Sequence, residues 1–229
     1  MRAELAAHAD PLRAPEMQRY MKSAMPYRGV TVPVLRTICR RILPAYPLAT
    51  FEDWQQTVES LWDTAEYREE RYAALEIIGH RPNARFRTLQ ALPLYARLIV
   101  SGAWWDLVDG LATHEVGDLL RTYPAAMREQ LLAWSRGEDA WLRRTSIICQ
   151  VSFKRATDQD LLYACMQPSL EERGFFLRKA IGWALREYGK VAPAAVAEYV
   201  AAHPELSGLS RREALKYVGA TSSSTLRRN

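Results

Sequence analysis

The chain has no run of about 18 apolar residues, so it offers no candidate membrane-spanning helix. Its three cysteines, Cys39, Cys149 and Cys165, are odd in number, far apart and without a C-x-x-C pair. That pattern argues against a disulfide framework and against a zinc site, and a reducing cytoplasm is the expected compartment. The four histidines, His8, His80, His114 and His203, are scattered, and H-E-x-x-H is missing. So are a Walker A loop and a G-x-G-x-x-G after a strand, which removes the metalloprotease, NTPase and dinucleotide readings. The opening MRAELAAHADPLRAP lacks the apolar core of a signal peptide. No metal and no cofactor is expected, and any chemistry must rest on carboxylates, arginines and aromatic side chains.

Sustained two-residue alternation with β-branched enrichment is also lacking, which excludes a sheet-based fold. Instead, apolar residues recur at three and four from about residue 50 onward, and the chain reads as all-α. Pro82, Gly102, Pro124, Gly137, Pro168, Gly189, Pro193 and Pro204 punctuate it as helix ends. With 229 residues, 48% hydrophobic and 25% charged, the composition is that of an ordinary globular protein. The excess of 31 Lys and Arg over 26 Asp and Glu, a net charge of +5, favours an anionic partner or else marks a basic solvated surface.

A weak repeat runs through the helices. REERYAALEII (68–78), WLRRTSIICQV (141–151), FLRKAIGWALR (176–186) and SRREALKYVGA (210–220) each set basic residues at the start of an apolar helix. The last three recur at roughly 35 residues. Between them lie FEDWQQTVESLW, PLYARLIV, MREQLLAWS, DQDLLYACM and PAAVAEYVA, so the repeating unit is a helix pair. Stacked pairs of this length predict an α-solenoid of HEAT-like repeats over residues 1–229, one domain, with a concave basic groove. The N-terminal 45 residues are expected to be helical, and 221–229 to form a frayed tail.

Three helices carry residues that a solvated surface does not explain by itself. A helix over 103–113 would place Trp104, Leu107, Val108 and Leu111 in the core, with Trp105 and Asp109 stacked on a flank beside Ala112. Trp105 and Asp109 then read either as a site or as a boundary tryptophan beside a solvated carboxylate. Arg144 is bordered by Trp141, Ile147, Ile148 and Val151; it must snorkel, meet an anion such as phosphate, or pair with a helix neighbour. In FFLRKAIGWALREYGK, Trp183 shares a non-core face with Phe176, Lys179, Arg186, Glu187 and Lys190, which suits either a nucleic-acid surface or an internal cation–π stack.

These segments, WWDLVD, WLRRTSIICQ, FFLRKAIGWALREYGK and LSRREALKY, together with RYMKSAMPYRGVTVPVLR, resemble those of the AlkD-type DNA alkylation repair glycosylases, which are built from HEAT-like repeats. The resemblance covers roughly residues 16 to 218. It implies excision of cationic N3- and N7-alkylated purines, 3-methyladenine and 7-methylguanine among them, from double-stranded DNA. The base is not flipped into a protein pocket. Carried over by position, Trp105 and Trp183 pack on the lesion's deoxyribose, Asp109 is the catalytic carboxylate, and Arg144 binds a nearby phosphate. Tyr20, Arg36, Arg143, Lys154, Lys179, Arg186, Arg211, Arg212 and Lys216 are the candidates for further DNA contact. The family pattern has a small polar residue at the position of Leu107, which faces the core on the helix wheel.

A cofactor-free monomer in the cytoplasm, on the nucleoid when bound to DNA, is expected. A cationic base leaves without a general acid, so the enzyme's task is to stabilise an oxocarbenium-like sugar. A carboxylate about 4 Å away contributes on the order of 4 kcal/mol at an effective dielectric near 20, roughly a thousandfold in rate. No lysine is marked as a Schiff-base nucleophile, so hydrolysis is expected rather than a lyase step. The alternative is a non-catalytic HEAT-repeat protein that binds DNA structure; relatives of that kind lack parts of the tryptophan and aspartate set, which this chain keeps.

Overall fold

From residue 50 onward the helical periodicity is realised among the described residues. A computed structural model describes residues 1–218, so the expected tail at 221–229 lies outside the described residues. Among the described residues every regular element is helical and there is no strand, and no helix is long and apolar enough to cross a membrane. The chain forms two compact units, Met1–Leu94 and Tyr95 onward.

The first unit contains α1 (Arg2–Ala7), α2 (Ala14–Met21), α3 (Val32–Ile42), α4 (Phe51–Asp63) and α5 (Arg68–Gly79). Helix α4 starts at a reciprocal cap. Thr50 accepts the Asp53 N–H at 3.0 Å, while the Thr50 N–H donates to the Asp53 carboxylate at 3.3 Å, an arrangement that stabilises a helix start by about 1 kcal/mol. Its residues Trp54, Val58 and Trp62, four apart, make the buried stripe. A second cluster joins α1, α3 and α5 through Leu5, Leu35, Ile38, Cys39 and Ala73.

The start of α5 departs from the expectation of a basic surface. Arg68, Glu69 and Glu70 are all buried. The Glu69 carboxylate accepts the N–H groups of Arg28, Gly29 and Val30 at 3.0, 2.9 and 3.1 Å. Glu70 pairs with Arg2 and Arg28, both at 3.1 Å. Buried carboxylates are tolerated only when so satisfied. Together they clip the irregular stretch that follows α2 onto α5. Gly29, at φ 84°, is required there, because a side chain would meet the Asp10 carbonyl.

The second unit continues with α6 (Leu92–Gly102), whose first turn straddles the boundary, α7 (Trp105–Gly110), a π-helical stretch Leu111–Val116 and α8 (Gly117–Thr122). Then follow α9 (Pro124–Arg136), α10 (Ala140–Ile148), α11 (Gln159–Met166), α12 (Phe175–Gly189), α13 (Pro193–Ala202) and α14 (Gly208–Ala214). Within this unit successive helices pack in the solenoid-like manner expected: α10 lies against α9, α11 and α12, and α12 against α13 and α14. The basic-start helices α10, α12 and α14 begin at Ala140, Phe175 and Gly208, close to the expected spacing. Ile147 and Ile148 of α10, Leu162 and Met166 of α11, Ile181 and Leu185 of α12, and Val196 and Val200 of α13 form one continuous core.

Candidate functional site

The site grows from the start of α7. Chain reversal after α6 puts Ala103 at φ 36°, a left-handed conformation that costs a non-glycine residue roughly 1 kcal/mol. Trp104 follows in extended conformation as the N-cap residue, so α7 begins at Trp105, two residues later than the expected helix over 103–113, and helical backbone runs on through the π-helical stretch to Thr122. Leu107, Val108 and Leu111 are buried as expected. Trp104 leaves their stripe and packs in an aromatic box, 6.2 Å from Trp141 and edge-on at 5.0 Å to Phe176. The π-helical stretch after Gly110 shifts the register, so Ala112, expected on the flank with Trp105 and Asp109, lies fully buried in the core.

Trp105 remains 36% exposed, and the Asp109 side chain, one helical turn on, 19%. Opposite them stands Arg144 in the interior of α10. That helix is set by Asp139, whose carboxylate accepts the N–H groups of Trp141 and Leu142, each at 2.9 Å. Arg144 is buried and does not snorkel. Its Nε donates to Asp109 Oδ1 at 2.7 Å, its Nη2 to Oδ2 at 2.7 Å, and its Nη1 to the Phe176 carbonyl at 2.6 Å. The fork that the resemblance turns toward a phosphate is thus closed on Asp109, an ion pair across helices rather than with a neighbour on α10. Such a two-bond clamp fixes the plane of the carboxylate as well as its position.

Trp183, expected on a non-core face, is half-buried and packs against the core of the second unit. On either side of it, Lys179 and Arg186 both reach Glu213 of α14. Arg143 is largely enclosed, donating to Glu172 at 2.5 Å and to Ser169 at 3.2 Å. Arg211 donates to the carbonyls of Val200 and His203 at 3.0 and 3.1 Å. It therefore closes the C-terminal end of α13. Lys154, Arg212 and Lys216 are exposed. Of the candidates in the first unit, Tyr20 is 76% exposed and Arg36 pairs with Glu76 at 3.0 Å.

The described residues contain no group of three metal-ligating side chains. Burial pushes the Cys39 and Cys165 thiols up to about 12 and raises Cys149 as well. None of the three is a ready thiolate nucleophile. Sequence reasoning missed Glu213 and the Phe176 carbonyl as partners. Gly182, inside an otherwise unbroken helical pattern, was the available signal of a close approach at Glu213.

An all-helical protein with a carboxylate clamped by arginine beside an exposed tryptophan is the class these observations define. Residues 1–218 match the model of the DNA alkylation repair enzyme family, and the chain belongs to that family. It is similar to a solved structure described as a predicted DNA alkylation repair enzyme from Enterococcus faecalis, at 28% identity and a TM-score of 0.82. The match covers 91% of this chain and 96% of that one. No curated protein matches it.

Proposed function

We propose that this protein is a monofunctional DNA glycosylase that acts as a monomer on double-stranded DNA. It hydrolyses the N-glycosidic bond of cationic N3- and N7-alkylated purines without a base-flipping pocket. The observation that carries this reading is Asp109, clamped at both oxygens by Arg144 one turn from the exposed Trp105.

A carboxylate has about four lone-pair positions, and the clamp uses two. The others remain for the sugar or for an attacking water. The clamp also lowers the electrostatic yield. A sugar cation about 4 Å from Asp109 gains about 4 kcal/mol at an effective dielectric near 20, while a guanidinium roughly 8 Å away on the far side removes about 2 kcal/mol. The net of about 2 kcal/mol is roughly thirtyfold in rate. Orientation of water by a fixed carboxylate plane supplies a second contribution. Trp105 and Trp183 offer electron-rich faces to the cationic sugar.

Lys179, the lysine within α12, lies 3.0 Å from Glu213, a setting that favours hydrolysis over a Schiff-base step. The test is incubation with N-methylated duplex DNA and chromatography for free 3-methyladenine and 7-methylguanine. Release of either base is expected. Duplex binding without release would instead identify a non-catalytic DNA-binding protein.

A further inference from the structure

Helix α12 carries a glycine, Gly182, next to Trp183, and α14 comes in close over it. A Cβ on Gly182 would lie 2.6 Å from the Glu213 Cβ and 3.2 Å from the Ser210 Cα. The gap admits the Glu213 side chain between Lys179 and Arg186, one turn to each side. Glu213 Oε1 takes Lys179 Nζ at 3.0 Å, and Oε2 takes Arg186 Nη1. One carboxylate with an oxygen on each of two cations presents the single negative charge and the two acceptor oxygens that a backbone phosphate would present to the same pair. All three side chains reach solvent, being 22%, 38% and 23% exposed for Glu213, Lys179 and Arg186.

We propose that Glu213 is an internal competitor for the DNA backbone: it occupies the phosphate seat of Lys179 and Arg186 and so holds down affinity for undamaged duplex. The inference rests on reading those two cations as phosphate contacts. A plain staple between α12 and α14 is a poorer account. The two helices are already joined by the Gly182–Ser210 approach and by Ser210 Oγ, which donates to the Arg178 carbonyl at 3.0 Å. The hydrogen bond from Lys179 and the charges of Lys179, Arg186 and Lys216 hold the Glu213 carboxyl below the usual carboxylate range. A carboxylate that yields its partners to DNA makes backbone binding an exchange rather than a gain, which limits time lost on the large excess of undamaged sites.

The experiment compares wild type and Glu213→Gln on an undamaged duplex by binding titration across a salt series. Glu213→Gln is expected to bind about tenfold tighter at low salt, with a log K against log salt slope steeper by about 1, since Lys179 is freed for a phosphate while Arg186 keeps the Glu187 carboxylate at 3.5 Å. The difference should vanish when Lys179→Gln and Arg186→Gln are both present. Base release from methylated duplex should also become more sensitive to undamaged competitor DNA. Affinity and slope equal to or below wild type would overturn the proposal, whatever the change in melting temperature, and leave Glu213 a staple. If Glu213→Gln binds more tightly while wild type releases no methylated base, the competitor role stands and the glycosylase reading falls.

Discussion

Arg144 holds Asp109 through two parallel hydrogen bonds of 2.7 Å, and the Phe176 carbonyl holds Arg144 through a third of 2.6 Å. Three segments far apart in sequence therefore decide where one carboxylate points. Removing the carboxylate charge alone leaves a permanent guanidinium charge facing the sugar cation, because arginine does not deprotonate.

That geometry makes the double variant less impaired than the single. Asp109→Asn changes the electrostatic contribution from about 2 kcal/mol favourable to about 2 kcal/mol unfavourable, so base release should fall about a thousandfold. In Asp109→Asn with Arg144→Met both charges are gone, and the electrostatic loss should be only about thirtyfold. Single-turnover release at saturating enzyme measures both. A double variant as slow as, or slower than, Asp109→Asn would contradict the clamp as the origin of the effect.

The two adjacent tryptophans should separate cleanly. Trp104 is boxed by Trp141 and Phe176, so Trp104→Ala should cost about 2 to 4 kcal/mol in urea unfolding. Trp105, more than a third exposed, should cost under about 1 kcal/mol on replacement by alanine, yet base release should drop at least tenfold. Equal stability losses at the two positions would remove Trp105 from the site.

Much of this was legible in the sequence. Helices α4, α5, α9, α11, α12 and α13 follow from their apolar spacing and their proline, glycine and side-chain caps, which are local effects. Trp105 and Asp109 were likewise legible as a pair, since residues four apart on a helix must neighbour one another. The partner of Arg144 was not, because an arginine in an apolar setting declares a need for an anion without saying which one. The π-helical stretch after Gly110 was also hidden, and Ala112 within it lies in the core rather than on the flank.

The buried acids of α5 were equally hidden, since two glutamates in a first helical turn ordinarily read as a solvated, dipole-favoured start. Glu69 instead accepts three backbone N–H groups. Glu69→Ala should therefore destabilise the first unit by about 3 kcal/mol or more, the cost of leaving buried donors unpaired. Hydrogen exchange should reveal faster opening at the amides of Arg28, Gly29 and Val30. Unchanged protection there would show that the clip is dispensable.

The cysteines should be silent. With Cys39 and Cys165 pushed up to about 12 and Cys149 raised as well, thiolate is scarce at pH 8, and the folded protein should resist iodoacetamide over hours. Full labelling in denaturant but none in the native state is the expected result, and base release should be insensitive to thiol reagents.

The most direct test of the central claim is release of free base from N-methylated duplex DNA by wild type and by Asp109→Asn side by side, with duplex affinity measured for both. The account predicts release of 3-methyladenine or 7-methylguanine by the wild type and a loss of about a thousandfold in Asp109→Asn with affinity largely kept. No release by the wild type, or equal release by both proteins, would contradict it.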